Sequence, residues 1–143
     1  MVNKGLFSSN TDLWATPQYF FDELNKEFNF DVDVCATKEN AKCKKYFTKD
    51  DDGLLQDWTQ FRSIWINPPY GREIGKWVEK AFNTFNECHN VIVMLLPART
   101  DTKWFHNFIY KKSEIRFIKG RLKFGDSKNS APFPSMVVIF KEK

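Results

Sequence analysis

Asn67, Pro68, Pro69 and Tyr70 follow directly on a short apolar run, Ile64-Trp65-Ile66, and precede Gly71, Arg72 and a long amphipathic segment. An amide, two prolines and an aromatic ring therefore sit where a strand is expected to end. Neither proline has a backbone N–H, so the turn offers carbonyl acceptors with few competing donors. Pro68 also biases Asn67 toward an extended conformation. Such a turn can aim an amide oxygen, a main-chain carbonyl and a ring face at one flat, amine-bearing molecule. The lone pair of an exocyclic amine is delocalised into its ring, which makes the nitrogen a poor nucleophile. If the Asn67 side chain and the Pro68 carbonyl each accept an amine hydrogen, the nitrogen moves toward a tetrahedral geometry and its lone pair becomes available. Asn67 has no useful basicity, so it would polarise and position, and the fitting reaction is transfer of an already activated group. Tyr70 would stack on the base. The alternative is a purely structural turn, with Tyr70 covering a helix end.

The elements that must hold this turn are legible from periodicity. Thr16 reads as a helix N-cap with Pro17 at the first helical position, and Phe20, Phe21, Leu24 and Phe28 give that helix one apolar face. The run from Phe30 to Ala36 alternates as a strand does, and residues 37–47 suggest a short helix carrying Lys42, Lys44 and Lys45. An acidic loop with Asp50, Asp51 and Asp52 follows, with Leu54, Leu55 and Trp58 expected to pack beneath it. Ile74, Trp77, Val78, Ala81, Phe82 and Phe85 mark a strong amphipathic helix. The continuous apolar run from Val91 to Leu96, stopped by Pro97, reads as a central parallel strand. Asp101 or Thr102 is expected to cap a helix with Trp104, Phe105, Phe108 and Ile109 on its apolar side. Glu114 to Ile118, Leu122 to Phe124 and Met136 to Phe140 read as further strands, with a polar loop from Gly125 to Pro134. Strands alternating with helices predict an α/β, Rossmann-like three-layer sandwich with a mostly parallel sheet and an antiparallel C-terminal strand. Residues 1–11 are expected to be a flexible lead-in to a single compact domain over 12–143, with no separate target-recognition domain.

Composition restricts the partners. The 143 residues carry a net charge of +4, and 17% are aromatic, with 15 Phe and 5 Trp, enough to leave rings free for stacking on bases. The charge is unevenly placed: eight basic against eleven acidic residues from Met1 to Pro69, but nine against three from Pro97 to Lys128. A basic second half suits a polyanion, and a solvated Lys-rich surface is the plainer explanation. Arg99, Lys103, Arg121, Lys123 and Lys128 are the candidates for contact with phosphates or base edges. The three cysteines, Cys35, Cys43 and Cys88, form no C-x-x-C pair, which fits reduced thiols in a cytosol and argues against a zinc site. No apolar run approaches a membrane span, and no signal peptide is seen. Cytoplasmic location, no membrane and no metal are the resulting expectations. The oligomeric state stays open, a homodimer included.

Asn67-Pro68-Pro69-Tyr70 resembles the [DNS]-P-P-[YFW] motif of amino-methyltransferases acting on DNA. Other stretches resemble, in the expected order from Trp14 onward, the phage-borne DNA N6-adenine methyltransferase (Dam) family. They are Trp14-Ala15-Thr16-Pro17, Asp31-Val32-Asp33-Val34-Cys35-Ala36, Asp52-Gly53-Leu54 with Trp58, the run Leu96 to His106, Gly120-Arg121-Leu122-Lys123-Phe124 and Ala131-Pro132-Phe133-Pro134-Ser135. The resemblance implies an S-adenosylmethionine-dependent enzyme that methylates N6 of adenine in double-stranded DNA after base flipping, in the host cytoplasm if phage- or prophage-borne. It implies catalytic roles for Asn67, Pro68, Pro69 and Tyr70. It likewise implies cofactor contacts from Trp14, Thr16, Pro17, Asp33, Ala36, Asp52 and Asn67. Asp33 would bind ribose hydroxyls or the methionine amine, and Asp52 would read the cofactor's adenine.

Two departures from that pattern stand out. No G-x-G loop precedes Asn67, so Asp33-Val34-Cys35-Ala36 is either its reduced form or a direct passage to the ribose-binding strand. Only 33 residues separate Asp33 from Asn67, short for two strand–helix units. With no recognition domain, sequence readout would fall to the loops 97–103 and 120–129. Methylation of RNA or of protein glutamine, and a non-catalytic DNA-binding relative lacking cofactor binding, are the alternatives.

Overall fold

A computed structural model describes residues 14–125 and 130–143. Its sheet has five strands: β1 (Val32–Asp33), β2 (Ser63–Ile66), β3 (Val91–Pro97), β4 (Glu114–Phe117) and β5 (Ser135–Phe140). They lie in the order β1-β2-β3-β5-β4, with β1, β2 and β3 parallel and β5 antiparallel to both β3 and β4. The C-terminal strand thus does not form the edge; it inserts between β3 and β4.

Two helices cover opposite faces. Helix α1 (Gln18–Phe28) sets Phe21 edge-on against Trp65 of β2, and its Glu27 accepts two hydrogen bonds from Arg116 of β4. Helix α2 (Ile74–Cys88) sets Phe82 and Phe85 against Phe140 of β5. Phe140 is in register with Ile92, and Ile92 with Ile64, so this row alternates with the row that contains Trp65 and Val93. One core runs through both interfaces, from Phe21 through Trp65, Val78 and Leu95 to Phe140. β2 and β5 are buried along their whole length, which is why they read as continuous apolar runs. The three cysteines are unpaired. No helix among the described residues is long and apolar enough to cross a membrane.

Several local expectations change. Helix α1 begins after Pro17, whose ψ of 135° is extended, so Pro17 caps the helix and Thr16 does not. The Pro17 carbonyl accepts from the N–H groups of Phe20 and Phe21, and the Thr16 hydroxyl has another partner, described below. Residues 37–47 form turns and no helix. Thr37 and Asn40 exchange backbone-to-side-chain hydrogen bonds (2.7 and 3.1 Å), and the chain then straightens so that Lys45 to Phe47 pairs with Asp33 to Ala36. That second partner explains why Asp33 is buried, only 2% exposed, where simple alternation would have left it facing solvent. Leu54 and Trp58 pack inward, but Leu55 is 80% exposed. Thr102 caps the turn that follows it by accepting from Phe105 N–H; that element is a single π-type turn, Phe105–Ile109. Leu122 to Phe124 forms no strand. Leu122 and Phe124 are held by burial of their side chains and by one hydrogen bond, Ala131 N–H to the Leu122 carbonyl.

Arg116 ties α1 to the sheet edge. Its guanidinium donates to both Glu27 oxygens at 2.7 Å and to Glu114 at 2.6 Å, above the Phe28 ring. The hydrogen bonds from Arg116 hold both carboxyls below the usual glutamate range. A depressed carboxyl pKa gives stability that is present above the unfolded-state value and lost as pH falls through the folded-state value. All three side chains are more than a third exposed, so the effect is modest. The melting temperature should therefore fall on acidification below about pH 4.5, the unfolded glutamate range. Arg116→Gln should flatten that acid limb in a melting series against pH; an unchanged limb would assign it to other carboxylates.

Candidate active site

β1 and β2 are parallel neighbours, so the segments after Asp33 and Ile66 leave the sheet side by side at its carboxyl edge. Asn67 is the first residue beyond β2. Its side-chain nitrogen donates to the Trp14 carbonyl and to the Thr16 hydroxyl, the latter at 2.9 Å. A carbonyl can only accept, so this pairing fixes which way the amide lies. Its oxygen, Oδ1, is buried and has no hydrogen-bond partner among the described residues. Buried polar atoms are nearly always paired, and an orphan at a sheet's carboxyl edge marks a place for a donor. Among the described residues the Pro68 carbonyl also takes no hydrogen bond.

Asn67, Pro68 and Pro69 line a cleft of about 860 Å³, with Oδ1 buried behind its wall. Of the residues expected from the sequence, Trp14, Thr16, Asp33, Ala36, Asp52, Asn67, Pro68 and Pro69 all line it. The carboxylate of Asp33 accepts the N–H of Cys35 at 3.2 Å and that of Lys42 at 3.0 Å, one on each oxygen. Burial raises its pKa to about 6, and the two N–H groups and the Lys42 charge offset part of the rise. Stability from this group is fully present below the unfolded value of 3.8 and is lost as pH rises through about 6. At neutral pH the ionised Asp33 therefore costs stability, as is common for groups kept for function. Burial also pushes the Cys35 and Cys43 thiols up to about 12, so neither is a thiolate nucleophile.

The far wall is built by close backbone approach. A Cβ on Gly53 would lie 2.1 Å from the Val34 carbonyl oxygen and 2.9 Å from the Trp77 ring. Trp58 donates from its indole to the Gly53 carbonyl at 2.9 Å and stacks on Trp77. Asp52 precedes with φ 55°, and its carboxylate accepts the Leu54 N–H. Spacing places Trp77 in the helix core and gives Phe47, Lys42 and Gly53 no site role, yet all four line the cleft. Only Gly53 carried a local signal, a glycine directly after an acidic run. The others reach the cleft through the pairing of residues 45–47 with β1 and through the packing of α2.

Two expected residues lie outside it. Pro17 is buried at the start of α1. Tyr70 is 3% exposed and donates its hydroxyl to the Leu95 carbonyl of β3 at 2.9 Å, with Phe124 and Phe133 edge-to-face beside it. The expectation of a ring lying open to a base does not hold in this conformation, because three neighbours cover it. Arg99, Lys103, Arg121 and Lys123 are exposed, and Lys128 lies outside the described residues. Among the described residues, no group of three or more His, Cys, Asp or Glu side chains could hold a metal ion.

The sequence matches the family model described as DNA N-6-adenine-methyltransferase (Dam) over residues 4–143. It is 34% identical over 151 aligned positions to the DNA N-6-adenine-methyltransferase of Haemophilus phage HP1, covering all of this chain and 86% of that protein. It is 35% identical to the DNA N-6-adenine-methyltransferase of Escherichia phage T1 over 78% of this chain and 46% of that one. A putative methyltransferase of Escherichia coli K12, YfdM, is 35% identical over 41% of this chain and 71% of its own. The match of the family model over residues 4–143, with a relative 34% identical along the whole chain, shows that the chain belongs to the DNA N-6-adenine-methyltransferase (Dam) family.

Proposed function

We propose that this chain transfers a methyl group from S-adenosylmethionine to N6 of adenine in double-stranded DNA, with Asn67 and Pro68 orienting the amine. The observation that carries the reading is the unpartnered, buried Oδ1 of Asn67, fixed by two hydrogen bonds from the same amide. The cofactor would supply a methyl group already activated on a sulfonium. The cleft suits such a molecule on three counts. Its volume of about 860 Å³ is that of a small-molecule pocket. Asp33 keeps lone pairs for hydroxyl or ammonium donors after accepting two N–H groups. Gly53 leaves room at the wall where any side chain would meet the Val34 carbonyl. Trp14, Thr16, Ala36 and Asp52 complete the lining on this reading.

The protein's part is then positioning. Asn67 Oδ1 accepts one hydrogen of the adenine amine and the Pro68 carbonyl the other, which localises the nitrogen lone pair. Pro69 stiffens the turn by removing a donor. An adenine must leave the duplex to reach this depth. The exposed Arg99, Lys103, Arg121 and Lys123 contact the DNA backbone, with the arginines available to base edges. Tyr70 stacks on the extruded base once Phe124 and Phe133 move aside, while its hydroxyl keeps the turn braced against β3. The loops bearing these cations read the sequence on this proposal. The host-cell cytoplasm suits the three unpaired thiols.

Two outcomes follow. Asn67→Ala should bind the cofactor analogue sinefungin yet lose at least about 100-fold in methyl transfer to unmethylated DNA, the scale seen when one positioning donor or acceptor is removed; retained transfer would remove Asn67 from the reaction. Cofactor affinity by calorimetry should fall as pH is lowered through about 6, where Asp33 gains its proton. Asp33→Asn should bind weakly at pH 8 and show no such step, and a native-like pH profile in that variant would assign the step elsewhere.

A further inference from the structure

We infer that Thr16 is a positioning residue for methyl transfer, acting through the Asn67 amide. The inference rests on the role given to Asn67 above and adds what makes that role possible. A terminal amide has two orientations of nearly equal shape, and only its neighbours decide between them. In one orientation Oδ1 is presented to the amine. In the other an N–H group is presented, and a donor facing a donor cannot polarise N6.

The neighbours here leave a single choice. The Trp14 carbonyl accepts one Nδ2 hydrogen, and the Thr16 hydroxyl accepts the other at 2.9 Å. Thr16 as a whole is 4% exposed. Its backbone is held on both sides. Pro17 follows at φ −58°, and the carbonyl of Ala15 accepts the Gly125 N–H at 2.8 Å. The hydroxyl donates to no group among the described residues, although it lines the cleft. It can therefore give its proton to whatever occupies the cleft while accepting from Asn67. This arrangement also explains why Thr16 does not cap α1. It further sets the residue type at position 67: a carboxylate there would place an oxygen against the Trp14 carbonyl.

The test compares Thr16→Val, of nearly equal shape but without the acceptor, with Thr16→Ser, which keeps it. Single-turnover methyl transfer, sinefungin affinity, DNA affinity and melting temperature are measured for each. Thr16→Val should lose about 10- to 100-fold in the transfer step at saturating cofactor, the scale of a small misplacement of a reacting group, with DNA affinity and melting temperature close to native and any loss in sinefungin affinity smaller than the loss in rate. Thr16→Ser should restore most of the rate. Native transfer by Thr16→Val overturns the inference. So does a loss that appears wholly as weaker sinefungin binding, because Thr16 is then a cofactor ligand only. If Thr16→Val does not fold, Asn67→Asp decides: it should transfer poorly at neutral pH, and a native rate overturns the inference. An Asn67→Ala variant that still methylates DNA would instead defeat the role of Asn67, leaving the two failures distinct.

Discussion

Both amide hydrogens of Asn67 are held inside the protein, by the Trp14 carbonyl and the Thr16 hydroxyl, and only the amide oxygen remains for a ligand. The rest of the site depends on this arrangement. It ties the segment before α1 to the end of β2, more than fifty residues away in sequence. It closes one side of the cleft and decides which amide atom is left without a partner. A buried acceptor without a donor costs on the order of 1–3 kcal/mol, and a bound amine would recover that cost. The same logic applies to Asp33, whose charge is unfavourable where it sits and which is retained beside the cleft.

The sheet supplies the geometry for both groups. Parallel pairing of β1 with β2 brings Asp33 and Asn67 out at one edge, although neither strand exceeds four residues. Such short strands are held by what covers them: Phe21 and Phe30 pack against Trp65 of β2. Tyr70 adds the last constraint, because its hydroxyl on the Leu95 carbonyl anchors the far end of the Asn67-to-Tyr70 turn to β3. Between Thr16 and Leu95 the turn is fixed at both ends. That rigidity suits catalysis by positioning, where little chemistry is asked of the side chains themselves.

The strong elements were readable because their signals are local. The buried strands, the amphipathic helix after the turn and the Asn67-to-Tyr70 turn itself each declare their character within a few neighbouring residues. The cleft's residue types were largely readable too, through the resemblance of their short motifs to one family. What was not readable depends on long-range pairing. Residues 37–47 have helical composition, but Lys45 to Phe47 finds a partner in β1, and that pairing buries Asp33. Thr16-Pro17 has the composition of a helix start, and its hydroxyl is engaged by a side chain 51 positions away. Tyr70 reads as a stacking ring by motif and is covered by Phe124 and Phe133, which come from the other end of the chain. Competition from distant partners is invisible to spacing rules, and it concentrates at the site.

A crystal structure of the protein with sinefungin and a DNA duplex containing its target adenine would test the central claim most directly. The adenine N6 should lie at hydrogen-bond distance, about 2.7–3.2 Å, from Asn67 Oδ1, with Nδ2 still on the Trp14 carbonyl and the Thr16 hydroxyl. An extruded adenine whose amine lies away from Asn67 Oδ1, or an Asn67 amide released from Trp14 and Thr16, would contradict it.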